Sequence, residues 1–164
     1  MPVYAVIVVM LYYPTILRFF WKLPSWLLFS SLGDLFSIYC YMVTINFLES
    51  LLALLSVLGL CMILPRKWFY DYFISRGVLL TVLTLAFFIY LGSKMQPEMP
   101  FPWGLVRQTP LFLLLIILLV FILDQIAFLR KILEELANRF IVFLYILVPI
   151  SILATIVVLV RNVS

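Results

Sequence analysis

The sequence predicts an all-α, polytopic bundle of membrane-crossing helices. Three observations carry that expectation. Of 164 residues, 67% are hydrophobic and only 11% are charged, against about 45–50% and about 25% in an ordinary soluble domain. The apolar residues gather into runs near the roughly 20 residues that a helix needs to cross hydrocarbon. The basic residues collect between those runs. A water-soluble fold could not cover its surface with so few charges, so the excess apolar area faces lipid. A soluble enzyme, a nucleic-acid-binding domain, a disordered tail and a single-span anchor are all excluded on this ground.

Six spans are expected, at about residues 3–20, 25–45, 48–64, 76–92, 109–129 and 140–160, forming one transmembrane domain over residues 1–164. The first is the weakest, because Pro14 interrupts it and Arg18 lies near its end. Five spans with that segment lying in the interface is the fallback. The amino terminus carries no positive n-region or cleavage site and is expected to be retained.

Residues 25–64 form a nearly unbroken apolar run. As one helix it would be about 60 Å long, twice the hydrocarbon thickness of about 30 Å. A tight turn is therefore expected at Asn46 and Glu49, the most polar residues near its middle. Those two side chains would cap the turn or gate an outward opening.

The connections then orient the six spans. Arg18, Lys22, Arg66, Lys67, Arg76, Arg130, Lys131 and Arg139 fall on one side, and Lys94, Arg107 and Arg161 on the other. The positive-inside rule puts the first group in the cytoplasm and both termini outside. Trp21, Trp26, Trp68 and Trp103 all fall near the expected interfaces, where amphipathic rings prefer to sit. The connection over residues 93–108 holds Pro97, Pro100 and Pro102 and is expected to be extended. It is a connector or a partner-docking segment. The cell membrane is the expected location.

One polar pattern stands out. Ser30, Asp34, Ser37, Tyr41 and Thr44 recur at alternating spacings of four and three, with Gly33 and Cys40 in the same arc. They fall within about 120° of a helix circumference. Leu28, Leu32, Leu35, Tyr39 and Met42 occupy the opposite face. Small and hydroxyl-bearing faces are what membrane helices use to meet one another. Gly77, Thr81, Thr84, Phe88 and Gly92 form a stripe that is expected to complement it.

Asp34 is expected near mid-membrane, where a carboxylate is costly and by default functional. It is either a protonatable transport site or a neutral acid bonded to the hydroxyls of its seam. Asp124 is expected at similar depth, so a two-carboxylate site is conceivable. Ser31-Leu32-Gly33-Asp34 and Tyr70-Asp71 look like fragments of the intramembrane aspartyl protease motifs. Ser31 replaces the first glycine, however, and the two fragments stand in the wrong order, so no hydrolase is expected.

The sixth and fifth spans are joined by an amphipathic cytoplasmic extension over about residues 124–139. Asp124, Lys131, Glu134, Glu135 and Asn138 lie on one side, and Ile126, Leu129, Leu133 and Leu136 on the other. Arg130, Lys131 and Arg139 find acidic partners at i, i+4, and Asn138 is the expected stop. Arg66, Lys67 and Trp68, with clustered aromatics behind them, suit the headgroup layer. Together with Arg130 and Lys131 they are candidate interface and lipid contacts. Pro149, with Ser151 and Thr155 nearby, suggests a kink whose freed carbonyl finds a hydroxyl.

There is no histidine, which excludes Ser-His-Asp and Cys-His catalysis. Cys40 and Cys61 form no CxxC pair and read as small buried hydrophobes. Walker, Rossmann, haem and metal-binding patterns are missing, so no cofactor is expected. The net charge of +4 reflects basic loops, with no nucleic-acid partner. The expected function is that of a non-catalytic structural or accessory subunit of a membrane complex. The alternative is a small proton- or cation-coupled transporter using Asp34.

Overall fold

A computed structural model describes residues 1–63, 73–94 and 103–163. It is all-helical, with no strand among the described residues. The helices are α1 (Pro2–Trp26), α2 (Leu32–Ile63), α3 (Phe73–Lys94), α4 (Trp103–Asp124) and α5 (Ala127–Val163). All five are long and apolar enough to cross a membrane.

Two turns differ from the sequence expectation, and the first of them changes the span count. Helix α2 continues through Asn46 and Glu49 for 32 residues, so the hairpin expected there is absent. A helix of that length is about 48 Å long and exceeds the hydrocarbon thickness only by what tilt and the interfaces absorb. The excess of the 25–64 run lies at its start, where residues 27–31 are non-helical. The second turn moves to Gln125 and Ile126, where the bonds Gln125 N–H to Ile122 O and Ile126 N–H to Leu123 O tighten the end of α4. The chain does not turn at Asn138. Residues 127–139 therefore open α5 and do not prolong α4. Helix α4 also starts at Trp103, ahead of the expected residue 109, and holds Pro110 inside.

Helix α1 is the centre of the bundle and not its weakest part. It packs against α2, α3 and α5. Val3, Ala5, Val6, Ile7 and Val8 are all buried, so its first turns are enclosed on nearly every side. Small β-branched residues allow that close approach. At Gly77 of α3 an added Cβ would stand 3.1 Å from Val3 Cγ2. Hydropathy measures preference for lipid and is blind to this kind of burial.

Two apolar clusters hold the helices. One joins Val3, Val6 and Ile7 to Val57, Val78, Leu79, Leu80, Ile116, Val120 and Ala137. The other joins Val8 and Tyr12 to Cys40, Val43, Ala154 and Val158. Cys40 is thus buried, as expected. Paired contacts fix direction. Tyr12 meets Val43 and Tyr4 meets Ser50, so α1 and α2 are antiparallel. Arg161 meets Ser37 while Ser151 shares Tyr12 with Val43, so α2 and α5 are antiparallel too. Helix α1 is then parallel to α5.

That register also places residues 127–139. Tyr12 is level with Ser151, so Pro2 is level with about residue 141. Helix α5 therefore starts before the level of the α1 start, and the antiparallel register with α2 brings it there beside the last turns of α2. Leu129, Leu133, Ala137 and Phe140 pack on the first cluster, which also holds Val57 of α2.

Candidate functional site

The polar side chains form three groups, and none is the seam-centred site expected from sequence. The first group holds the helices at mid-bundle. Tyr12 Oη lies 2.6 Å from Ser151 Oγ, both buried. Ser151 donates to Leu147 O at 2.6 Å, so its oxygen is left to accept from Tyr12. Thr155 donates to Ser151 O. The hydroxyls near Pro149 thus bond to carbonyls other than the one freed by the proline, which belongs to Tyr145. Tyr4 and Ser50 add a bond of 3.3 Å.

The seam residues lie along α2 and the segment before it, but they face α5 and not α3. Tyr41 donates to Asn162 Oδ1 at 2.8 Å, and Arg161 donates to Ser37 Oγ. Thr44 is buried and bonds its own helix at Cys40 O. Ser30 gives its N–H to Trp26 O in the turn after α1. The complement expected on α3 is used otherwise: Gly77 meets α1, and Thr81 bonds Gly77 O.

Asp34 is exposed in the first turn of α2, far from the middle of that helix. Its Oδ2 accepts the Ser31 N–H at 3.2 Å and the Ser31 hydroxyl at 2.6 Å, while Ser31 Oγ accepts the Asp34 N–H at 3.3 Å. This is a capping box, with Ser31 as N-cap and Asp34 three residues on. It satisfies donors that the helix start leaves open. The acid sits early in α2 because the turn expected at residue 46 is absent.

Asp124 belongs to the opposite end of the bundle, so the two carboxylates are not brought together. It is buried at the end of α4. Ser75 Oγ donates to Oδ1 at 3.0 Å, and Arg76 Nε donates to Oδ2 at 2.6 Å. The Arg76 guanidinium also lies 5.4 Å from the centre of the Phe121 ring. This pair, missed in the sequence, joins α3 to α4. Its partners are 48 residues apart, and no local spacing announces it.

The third group is a cavity of about 290 Å³ between α1, α2 and α3, with Arg18 and Glu49 in its wall. Thr15 and Asn46 stand beside it, with Thr15 Oγ1 3.3 Å from Asn46 Oδ1. With α2 continuous, Glu49 falls near the middle of that helix. Neither Arg18 nor Glu49 makes a hydrogen bond or an ion pair among the described residues. A second cavity, about 260 Å³, is almost wholly apolar and lies between Val57 and Leu60 of α2, Leu80 and Thr84 of α3, and Ile116 of α4.

In the first turns of α5, Lys131, Glu135 and Arg139 are exposed, and Arg139 donates to Glu135 at 2.7 Å. Leu129 and Leu133 pack inward as expected, whereas Phe128, Ile132 and Leu136 form an exposed apolar stripe. Arg130 is half-buried. Arg66, Lys67, Trp68 and Asp71, with Pro97, Pro100 and Pro102, lie outside the described residues.

The fold and its polar groups define a class: a helical bundle with five helices able to span a membrane. No known protein family matches the chain, and neither a characterised protein nor a solved structure shows significant similarity to it.

Proposed function

We propose that this chain is a multi-pass protein of the cell membrane that works by association, as a non-catalytic structural or accessory subunit of a membrane complex. The observation that carries this reading is the stripe of Phe128, Ile132 and Leu136. It lies in the first turns of α5, and Phe128 is 75% exposed. Lys131, Glu135 and Arg139 border it. An apolar centre with a charged rim is the make-up of a protein contact. The interhelical polar bonds support the same reading, because Tyr12, Ser151, Tyr41, Asn162, Ser75 and Asp124 are all engaged in holding helices together.

Transport coupled to Asp34 has less support. An exposed carboxylate engaged in a capping box is neither in a dry seam nor at the foot of a water-filled cavity.

The test places a photo-crosslinking residue at Phe128 or Leu136 in the full chain, in native membranes. A single protein partner, lost when Ile132→Asp is added, is the expected result. Crosslinks to lipid alone would remove the subunit reading.

A further inference from the structure

Glu49 is the feature least explained by packing. It lies near the middle of a 32-residue apolar helix, where an ionised side chain is costly and, in membrane proteins, faces a partner or a polar cavity. Among the described residues it has no bonded partner, and it borders the same cavity as Arg18. Ser50, its neighbour in sequence, bonds Tyr4, so Glu49 enters toward the Met10 end of that cavity. Arg18 stands about 12 Å further along α1. Leu85, Phe88 and Ile89 of α3 line the side between them.

Arg18 also belongs to a second concavity, shared with Leu17, Trp21 and Lys22 on the outer face of α1. Basic residues beside an exposed tryptophan near a helix end suit the headgroup layer. The two hollows meet at Arg18. A polar route therefore runs from the headgroup level, past a guanidinium, to a carboxylate exposed at the middle of α2.

We propose that the Arg18–Glu49 cavity binds a phosphoethanolamine-type zwitterion, its phosphate on Arg18 and its primary ammonium on Glu49. Opposite charges at the two ends of one cavity fit a ligand with opposite charges at its two ends. Arg18 and Glu49 are both exposed on the bundle surface at this cavity, so a ligand reaches them from the lipid side, and in the low dielectric of the hydrocarbon each of those contacts is strengthened. A guanidinium matches phosphate oxygens through a fork of N–H donors. A carboxylate accepts hydrogen bonds from a primary ammonium, which a quaternary one cannot offer. The apolar wall favours a lipid carrying this headgroup, and the free zwitterion has the same chemistry. The inference is independent of the partner surface on α5.

The test uses delipidated full-length chain in detergent, titrated in native mass spectrometry with short-chain phosphatidylethanolamine, phosphatidylcholine and phosphatidylglycerol. Phosphatidylethanolamine is expected to bind at one site, roughly tenfold more tightly than the other two. Glu49→Gln should abolish its advantage over phosphatidylglycerol, and Arg18→Gln should weaken all three lipids. Neither side chain has a bonded partner among the described residues, so both variants should keep the wild-type unfolding midpoint. Displacement by O-phosphoethanolamine identifies the free zwitterion as a ligand, and failure to displace assigns the site to the lipid. Equal affinity for the three lipids, or an undiminished ethanolamine preference in Glu49→Gln, would overturn the proposal.

Discussion

The Tyr12 hydroxyl, 2.6 Å from Ser151 Oγ, joins the middle of the central helix α1 to α5 two residues beyond Pro149. Val43 O of α2 lies 3.4 Å from the same hydroxyl, so three helices meet at one oxygen. Tyr12→Phe keeps the ring and removes only these bonds. It should lower stability in detergent by about 1 kcal/mol. A double-mutant cycle with Ser151→Ala should give a coupling of about 0.6 kcal/mol, the usual size for a bond between membrane helices. Additive effects would mean that the two hydroxyls do not interact.

Two ion pairs of nearly equal length should differ several-fold in strength. Arg76–Asp124 is 2.6 Å long with side chains 14% and 4% exposed, and Arg139–Glu135 is 2.7 Å long with side chains 73% and 61% exposed. Removing one partner of a buried pair leaves the other charge desolvated, at a cost of about 3 kcal/mol. An exposed i, i+4 pair contributes about 0.3 kcal/mol. Thermal unfolding should therefore show Asp124→Asn strongly destabilised and Glu135→Gln almost unchanged. Similar midpoints for the two variants would contradict the burial of Asp124.

Gly77 sets the approach of α3 to α1. A methyl group there would meet Val3 Cγ2 at 3.1 Å, a distance that a small shift of one side chain can relieve. Gly77→Ala should cost less than about 1 kcal/mol, whereas Gly77→Leu should cost about 2–3 kcal/mol through overpacking. Gly92, with nothing within 4 Å of an added Cβ, is the control: Gly92→Ala should be neutral or slightly stabilising in thermal unfolding.

The membrane class and the positions of most apolar runs were legible in composition and hydropathy, because lipid exposure is a property of each residue alone. Packing was not. Val3, Ala5 and Ile7 read as part of a doubtful span, yet all three are buried in the bundle. The capping box at Ser31 and Asp34 was present in the sequence as an S-x-x-D pattern. It was hidden by placing the first turn of α2 seven residues too early and treating Asp34 as mid-helix. Arg76 and Asp124 could not be paired by any local rule, since they meet only after α3 and α4 pack. Arg18 and Glu49 come into one cavity only if α2 is continuous.

The continuity of α2 has a direct topological consequence. Five crossings place the termini on opposite faces, whereas six would place them on the same face. The basic residues then divide almost evenly: Arg66, Lys67, Arg76, Arg130, Lys131 and Arg139 on one side, and Arg18, Lys22, Lys94, Arg107 and Arg161 on the other. The charge asymmetry that orients six spans disappears, so the positive-inside rule exerts little bias on this chain. Small tags at the two termini should be protected on opposite sides of sealed vesicles. A cysteine introduced by Glu49→Cys in a cysteine-free background should resist a membrane-impermeant maleimide from either side, because that position is about 26 Å from one end of α2 and about 21 Å from the other. A hairpin at Asn46 would instead leave that cysteine reactive from one face and bring both tags to a common side.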